Sequence, residues 1–194
     1  PPELLYRRND RSIYSEAIAG TRPLGHDEKE NCRLAIELFD SPKDRLEVDL
    51  VRAGIGESLA PLCNNLSIDE RPQIHRAGSV QHLRYAINGL LEEAVSDADI
   101  FKFLSPTPAV GGSPRDAAMK LIRELELFDR GWYAGPIGWI SATGAEFAVG
   151  IRSALVDDRK VHLYAGCGIV DGSDPAREWD EIETKISGFM ELFS

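Results

Sequence analysis

The 194-residue sequence is 43% hydrophobic and 28% charged, a balance ordinary for a globular protein, and a chain of this size buries roughly 70% of its unfolded surface, enough for one core. The formal net charge of -10 works against nucleic acid and anionic membrane surfaces as partners, and it obliges any small anionic ligand to meet a local cation cluster or a metal. No apolar run approaches the ~20 residues that span a bilayer.

Cys32, Cys63 and Cys167 are odd in number and form no metal-binding spacing, which points to reduced thiols in a cytosol-like compartment. The sequence starts at Pro1 without methionine, so the start reads as processed or truncated and leaves targeting open.

Along the chain, Leu4-Leu5-Tyr6 and Ser12-Ile13-Tyr14 predict two strands around a polar turn at Arg7-Arg8-Asn9-Asp10. Asp27 opens a helix with an apolar stripe of Cys32, Ala35, Ile36 and Phe39. Ser41-Pro42 starts a second helix, carrying Leu46, Leu50, Val51 and Leu59 to about Leu62. Strands are expected over 73–91, a short helix over 96–104, and a rigid loop through Pro106, Pro108, Gly111, Gly112 and Pro114. A helix from Arg115 to about Leu127 turns Ala118, Leu121, Ile122 and Leu125 inward. Strand-like runs at 132–141, 145–156 and 160–170 follow, separated by hairpin signals at Thr143-Gly144 and Asp157-Asp158. Asp174-Pro175 opens a last helix to about Leu192. The class predicted is α+β, antiparallel β-sheets packed with helices.

Two acidic pairs stand out, Asp44 with Glu47 and Glu178 with Glu181, each three residues apart and therefore on one face of a helix. Turned inward, they offer up to four carboxylates to a hard cation such as Mg²⁺; turned outward, they only complement the helix dipole. Gly166 and Gly168 interrupt an apolar run, as a bulge or a close ligand approach would require. Arg152 sits in an apolar stretch and needs either an ion pair or a polar cavity, where its fork suits a carboxylate. Tyr133 and His82 are compatible with ligand contact and equally with packing; Glu3 and Glu16 become raised-pKa acids if buried.

Taken together, several stretches resemble the chorismate-binding enzyme family, which includes isochorismate, salicylate, anthranilate and aminodeoxychorismate synthases. They include Pro2-Glu3-Leu4-Leu5, Ser15 to Thr21, Ser41 to Glu47, Val80 to Leu83, Pro106 to Gly112, Phe128 to Gly135, Ile151 to Ala154, and Ala165 to Lys185. The resemblance runs over residues 1–194 in order, and implies the C-terminal portion of a single catalytic domain. It implies Glu3 as the general acid that protonates the leaving C4 hydroxyl of chorismate while water adds at C2. It implies Glu47 and Glu181 as Mg²⁺ ligands with Asp44 and Glu178 in support. Tyr133, Arg152, the backbone at Gly166, Cys167 and Gly168, and Lys185 match carboxylate-binding positions. His82, Gly20 and Thr21 match pocket positions, His82 standing with Glu3 as a candidate catalytic residue.

Ala109, where salicylate synthases tend to carry Thr, favours the isochorismate synthase branch feeding menaquinone, siderophore or plant salicylate synthesis. The family's water-activating lysine falls upstream of Pro2-Glu3, and Lys29, Lys43, Lys102, Lys120, Lys160 and Lys185 all lie in other segments. The implied partner is thus the missing N-terminal half of the enzyme, in the same or another chain, in the cytoplasm or a plastid. Two other readings stay open: a catalytically silent subunit that binds metal or a partner, and another chorismate-utilising synthase.

Overall fold

The computed structural model describes residues 3–190. Among them the class is α+β, with every strand pair antiparallel. The chain opens with β1 (Leu4–Asn9) and β2 (Ser12–Pro23), so the turn falls after Asn9 and Arg7 and Arg8 lie within the strand. Leu5 and Tyr6 are both buried although adjacent, which ordinary alternation forbids. A register shift between Leu4 and Tyr6, where β1 meets β7 (Gly144–Val149), turns both inward.

The helices α1 (Glu28–Asp40) and α2 (Pro42–Leu59) start where side chains cap them, Asp27 accepting from Glu30 N and Ser41 from Asp44 N. The expected stripes hold only in part, Val51 and Leu59 being buried as expected. In α1 only Leu38 is buried and Ile36 is 61% exposed; in α2 the inward face is Asp44, Val48, Val51, Ile55 and Leu59, with Leu46 and Leu50 outside. That face packs across β2 and β5 (Val80–Leu91), against Ala17, Ala19, Leu83, Tyr85 and Ile87.

A strand not foreseen, β3 (Cys63–Ile68), and then β4 (Gln73–Ala77) pair along successive stretches of β5. The sheet order is β3-β5-β2-β1-β7-β6, β6 being Pro136–Ile140. Helix α3 (Asp97–Leu104) is closed by a reciprocal cap between Ser96 and Asp99. The proline-glycine segment contains one short turn of helix, α4 (Pro108–Gly111), before α5 (Arg115–Leu125). None of the α5 residues is buried, and Leu121 and Leu125 face outward, contrary to the sequence pattern.

The expected strand over 145–156 breaks at Gly150–Arg152, where Arg152 takes φ 49°, a left-handed conformation. Beyond the break β8 (Ser153–Asp157) and β9 (Lys160–Tyr164) form a separate two-stranded sheet. The run expected to 170 ends at Tyr164, so Gly166 and Gly168 lie in an irregular loop rather than in a strand. The loop leads to α6 (Pro175–Met190); Met190 is the last residue described, so the expected end near Leu192 lies outside the described residues.

Candidate active site

The site is built where β2 changes register. Ala19 pairs with Leu83 and Arg22 with Gln81, leaving Gly20 and Thr21 both opposite His82. This is a β-bulge, and it turns backbone oxygen and hydroxyl toward one imidazole. His82 Nδ1 lies 3.0 Å from Gly20 O and 3.1 Å from Thr21 Oγ1. A carbonyl only accepts, so the neutral ring carries its proton on Nδ1 and leaves Nε2 as an acceptor. Burial holds the ring's pKa below its usual value. Gly20 has φ 68°, and a Cβ there would meet Leu38 Cδ1 and Asp44 Cβ at 2.9 Å each. Only glycine lets the start of α2 come this close to the sheet.

Beside the bulge is a cavity of about 190 Å³, lined by residues from several distant segments of the chain. Glu3, from the start of β1, lines it, with its backbone oxygen held 2.8 Å from Val149 N. Burial pushes the Glu3 carboxyl up to about 7, against the pull of Lys185 and Arg152. It thus holds a proton about half of the time at neutrality. Glu16, the other candidate acid, instead accepts from Tyr14 at 3.2 Å and faces Arg84 at 3.9 Å, outside the cavity lining.

Across the cavity lie Tyr133, Arg152 and the segment Ala165–Gly168. The Tyr133 ring stacks on Tyr164 at 5.6 Å, and the Arg130 guanidinium lies over the same ring, 5.7 Å from its centroid. A Cβ on Gly166 would stand 2.8 Å from Tyr133 Oη, so the hydroxyl is seated against this loop. Lys185 crosses from α6, donating to Gly166 O at 2.9 Å and pairing with Glu181 at 2.6 Å. The Cys167 thiol is pushed up to about 11, by burial first and then by Glu178, so it remains protonated.

The two acidic pairs lie on the turns of α2 and α6 that the Lys43–Glu178 ion pair links. Glu47 and Glu181 line the cavity; Asp44 and Glu178 are buried behind it. Glu47 Oε1 presses on Gly168 so closely that any side chain there would collide with it. Burial, with repulsion from Glu181 and Asp44, pushes the Glu47 carboxyl up to about 7 despite Lys43 and Lys185. The other three each hold a cation: Arg22 on Asp44 at 3.0 Å, Lys43 on Glu178 at 2.6 Å, Lys185 on Glu181 at 2.6 Å. Glu178 Oε2 is buried with no hydrogen-bond partner. Among the described residues, no three His, Cys, Asp or Glu side chains converge as a metal cluster does. The donor set, hard oxygens with one orphaned in the interior, suits a hard divalent cation in kind. In this arrangement ammonium and guanidinium groups stand among the carboxylates.

Apart from Glu16, the residues singled out from the sequence therefore fall in or directly behind one cavity. Those not singled out are Lys43 and Arg22, and Arg130, which holds Val110 O at 2.7 Å and Glu126 through two bonds of 2.6 and 2.8 Å. Lys43 carried a legible signal, since it stands four residues before Glu47 on the same helix face. Arg22 and Arg130 carried none, because their partners are set by the bulge and by the α5–β6 connection.

The family model for chorismate binding enzymes matches residues 1–194. The chain belongs to the chorismate-binding enzyme family. It is 42% identical over 192 residues to a chloroplastic isochorismate synthase of Catharanthus roseus, covering 98% of this chain and 33% of that protein. It is 41% identical over 191 residues to the isochorismate synthase MenF of Escherichia coli, covering 98% and 44%. The solved structure of that Escherichia coli enzyme superposes with a TM-score of 0.89 over 99% of this chain and 44% of the other. Anthranilate synthase component I from Streptococcus pneumoniae has a TM-score of 0.77 at 28% identity, over 94% of this chain and 41% of that chain. The chain thus spans less than half the length of these family members. No helix among the described residues is long and apolar enough to cross a membrane.

Proposed function

We propose that this chain is the acid- and metal-bearing part of an isochorismate synthase, which converts chorismate to isochorismate. The observation that carries this is a desolvated carboxyl, Glu3, raised to about 7 so that it is about half protonated at neutral pH, facing Arg152 and Lys185 across one cavity. Identity near 40% to isochorismate synthases of plant and bacterial origin supports the choice of branch, as does Ala109 in the cavity wall. The origin of these relatives fits a cytoplasmic or plastid setting.

In this reading Arg152, Lys185, Tyr133 and the Gly166–Gly168 backbone bind the substrate's carboxylates. The guanidinium and ammonium overcome the repulsion that a chain of net charge -10 would otherwise exert. Glu3 gives its proton to the C4 hydroxyl as the C4–O bond breaks and water leaves, while a second water forms the C2–O bond. His82, neutral and fixed by the bulge, offers Nε2 to a ring hydroxyl, with Gly20 and Thr21 shaping the wall. Glu47 and Glu181, supported by Asp44 and Glu178, would hold Mg²⁺, which when bound supplies charge neutralisation for a ring carboxylate. The proton lost by the attacking water needs a base. Lys43 and Lys185 are both engaged as ammonium donors, so the base belongs to a further segment, in this or another polypeptide. The open edge of β6, with Ile137, Trp139 and Ile140 exposed, supports such a complement.

The test is chorismate turnover with Mg²⁺, by this chain alone and mixed with the N-terminal part of an isochorismate synthase relative. Isochorismate is expected only from the mixture, and Glu3→Gln should lower kcat by about 100-fold or more. A mixture that assembles but makes no isochorismate would sink the proposal, and retained Mg²⁺ binding would then identify a catalytically silent subunit.

A further inference from the structure

We propose that Lys43 is a resident counter-ion, whose ammonium holds the α2 and α6 carboxylates together without metal and competes with a divalent cation for them. This rests on reading the four carboxylates as a metal site, and assigns a role to a residue outside the cavity lining.

Four observations carry it. First, the ion pair joins the two helices that bear the acidic pairs: Lys43 Nζ stands 2.6 Å from Glu178 Oε1. Helix α6 otherwise packs chiefly on β9 and leaves Trp179 exposed, so this bond is a principal tie between α6 and α2. Second, Lys43 faces more than its partner, since Glu47 and Glu181 also act on its charge. Third, Lys43 is itself half-buried, at 27% exposure, so its charge is screened less than that of a surface lysine. Fourth, its partner Glu178 is 5% exposed, with Oε1 on Lys43 and Oε2 lacking any hydrogen bond. Even with Lys43 on Oε1, the second oxygen of this buried carboxylate is left without a donor, a place that a further cation could fill.

A cation that fills the remaining deficit must approach Lys43 and repel it. The charge that stabilises the metal-free arrangement therefore lowers the affinity for metal. Removing it should move the two properties in opposite directions, which no loss of packing does.

The test uses the full chain, with MgCl₂ alone as ligand, in Lys43→Gln and Lys43→Arg. Binding is read by titration calorimetry, and thermal unfolding is followed in EDTA and in Mg²⁺. Lys43→Gln should bind Mg²⁺ about tenfold more tightly. In EDTA its unfolding midpoint should fall by about 3–6 °C, and Mg²⁺ should restore the loss. Lys43→Arg, which keeps the charge, should return both values toward the parent. Unchanged or weaker Mg²⁺ binding by Lys43→Gln, with binding by the parent chain intact, overturns the counter-ion role and leaves the metal site standing. Absence of Mg²⁺ binding in the parent and both variants overturns the metal site itself, and this role with it.

Discussion

Glu3 is an acid because of where its carboxyl lies, and the same burial ties the stability of the chain to pH. An ordinary carboxyl titrates near 4.5, whereas burial raises Glu3 to about 7. Between those values the unfolded chain has released the proton that the folded chain retains. Stability contributed by the retained proton is therefore complete below about 4.5 and lost as pH rises through about 7. Glu47 is raised for the same reason and acts in the same window. Each group contributes up to about 3 kcal/mol. We expect the unfolding midpoint to fall between pH 5 and pH 8, and Glu3→Gln to remove about half of that fall. A variant with the full pH dependence of the parent would show that the Glu3 carboxyl is solvated. Glu3 and Glu16 look alike in sequence, each beside the first hairpin; the fold separates them by placing one under Val149 and the other beside Arg84. Arg152 was legible as a charge in an apolar run, while its left-handed backbone was not, since no glycine or asparagine marks it.

The helices show what three-residue spacing does and does not reveal. Spacing put Asp44 with Glu47, and Glu178 with Glu181, on single faces, and those faces do meet at the cavity. Capping residues likewise marked where α1, α2 and α3 begin, because Asp27, Ser41 and Ser96 satisfy backbone donors locally. Which apolar stripe turns inward was not legible in α1 or α5 and only partly in α2. In α2 the expected Val51 and Leu59 are buried, but Val48 and Ile55 join them in place of Leu46 and Leu50. The strand β3 was missed because the adjacent Asn64 and Asn65 break the apolar alternation on which strand readings rest. Within α6, Glu181 lines the cavity and Asp180 is exposed. Glu181→Gln should weaken Mg²⁺-dependent chorismate binding by the complemented enzyme about tenfold or more, and Asp180→Asn by less than about twofold. Equal losses would contradict the inward assignment of Glu181.

At the scale of the whole molecule, the sheet is finished on the helix-covered face and unfinished at β6. Ile137, Trp139 and Ile140 are exposed there, on a strand whose outer side pairs with nothing among the described residues. Such an edge accepts another strand. The isolated chain should therefore elute larger in size-exclusion chromatography as its concentration rises, and Trp139→Lys should suppress the shift. A chain that stays monomeric at every concentration would show that the edge is protected. The antiparallel α+β class was legible from short strands with hairpin signals, but the strand order was not, because it depends on distant pairs. Of these, β1 with β7 matters most: Leu4 meets Ala148 and Asn9 meets Gly144. That pairing fixes Glu3 at the cavity, and it closes a loop of more than a hundred residues. Contacts so remote in sequence form late and slowly during folding. The proton donor is thus set in place only once β7 is available to pair with β1, and a chain trimmed to lack β7 would hold a folded hairpin without an acid.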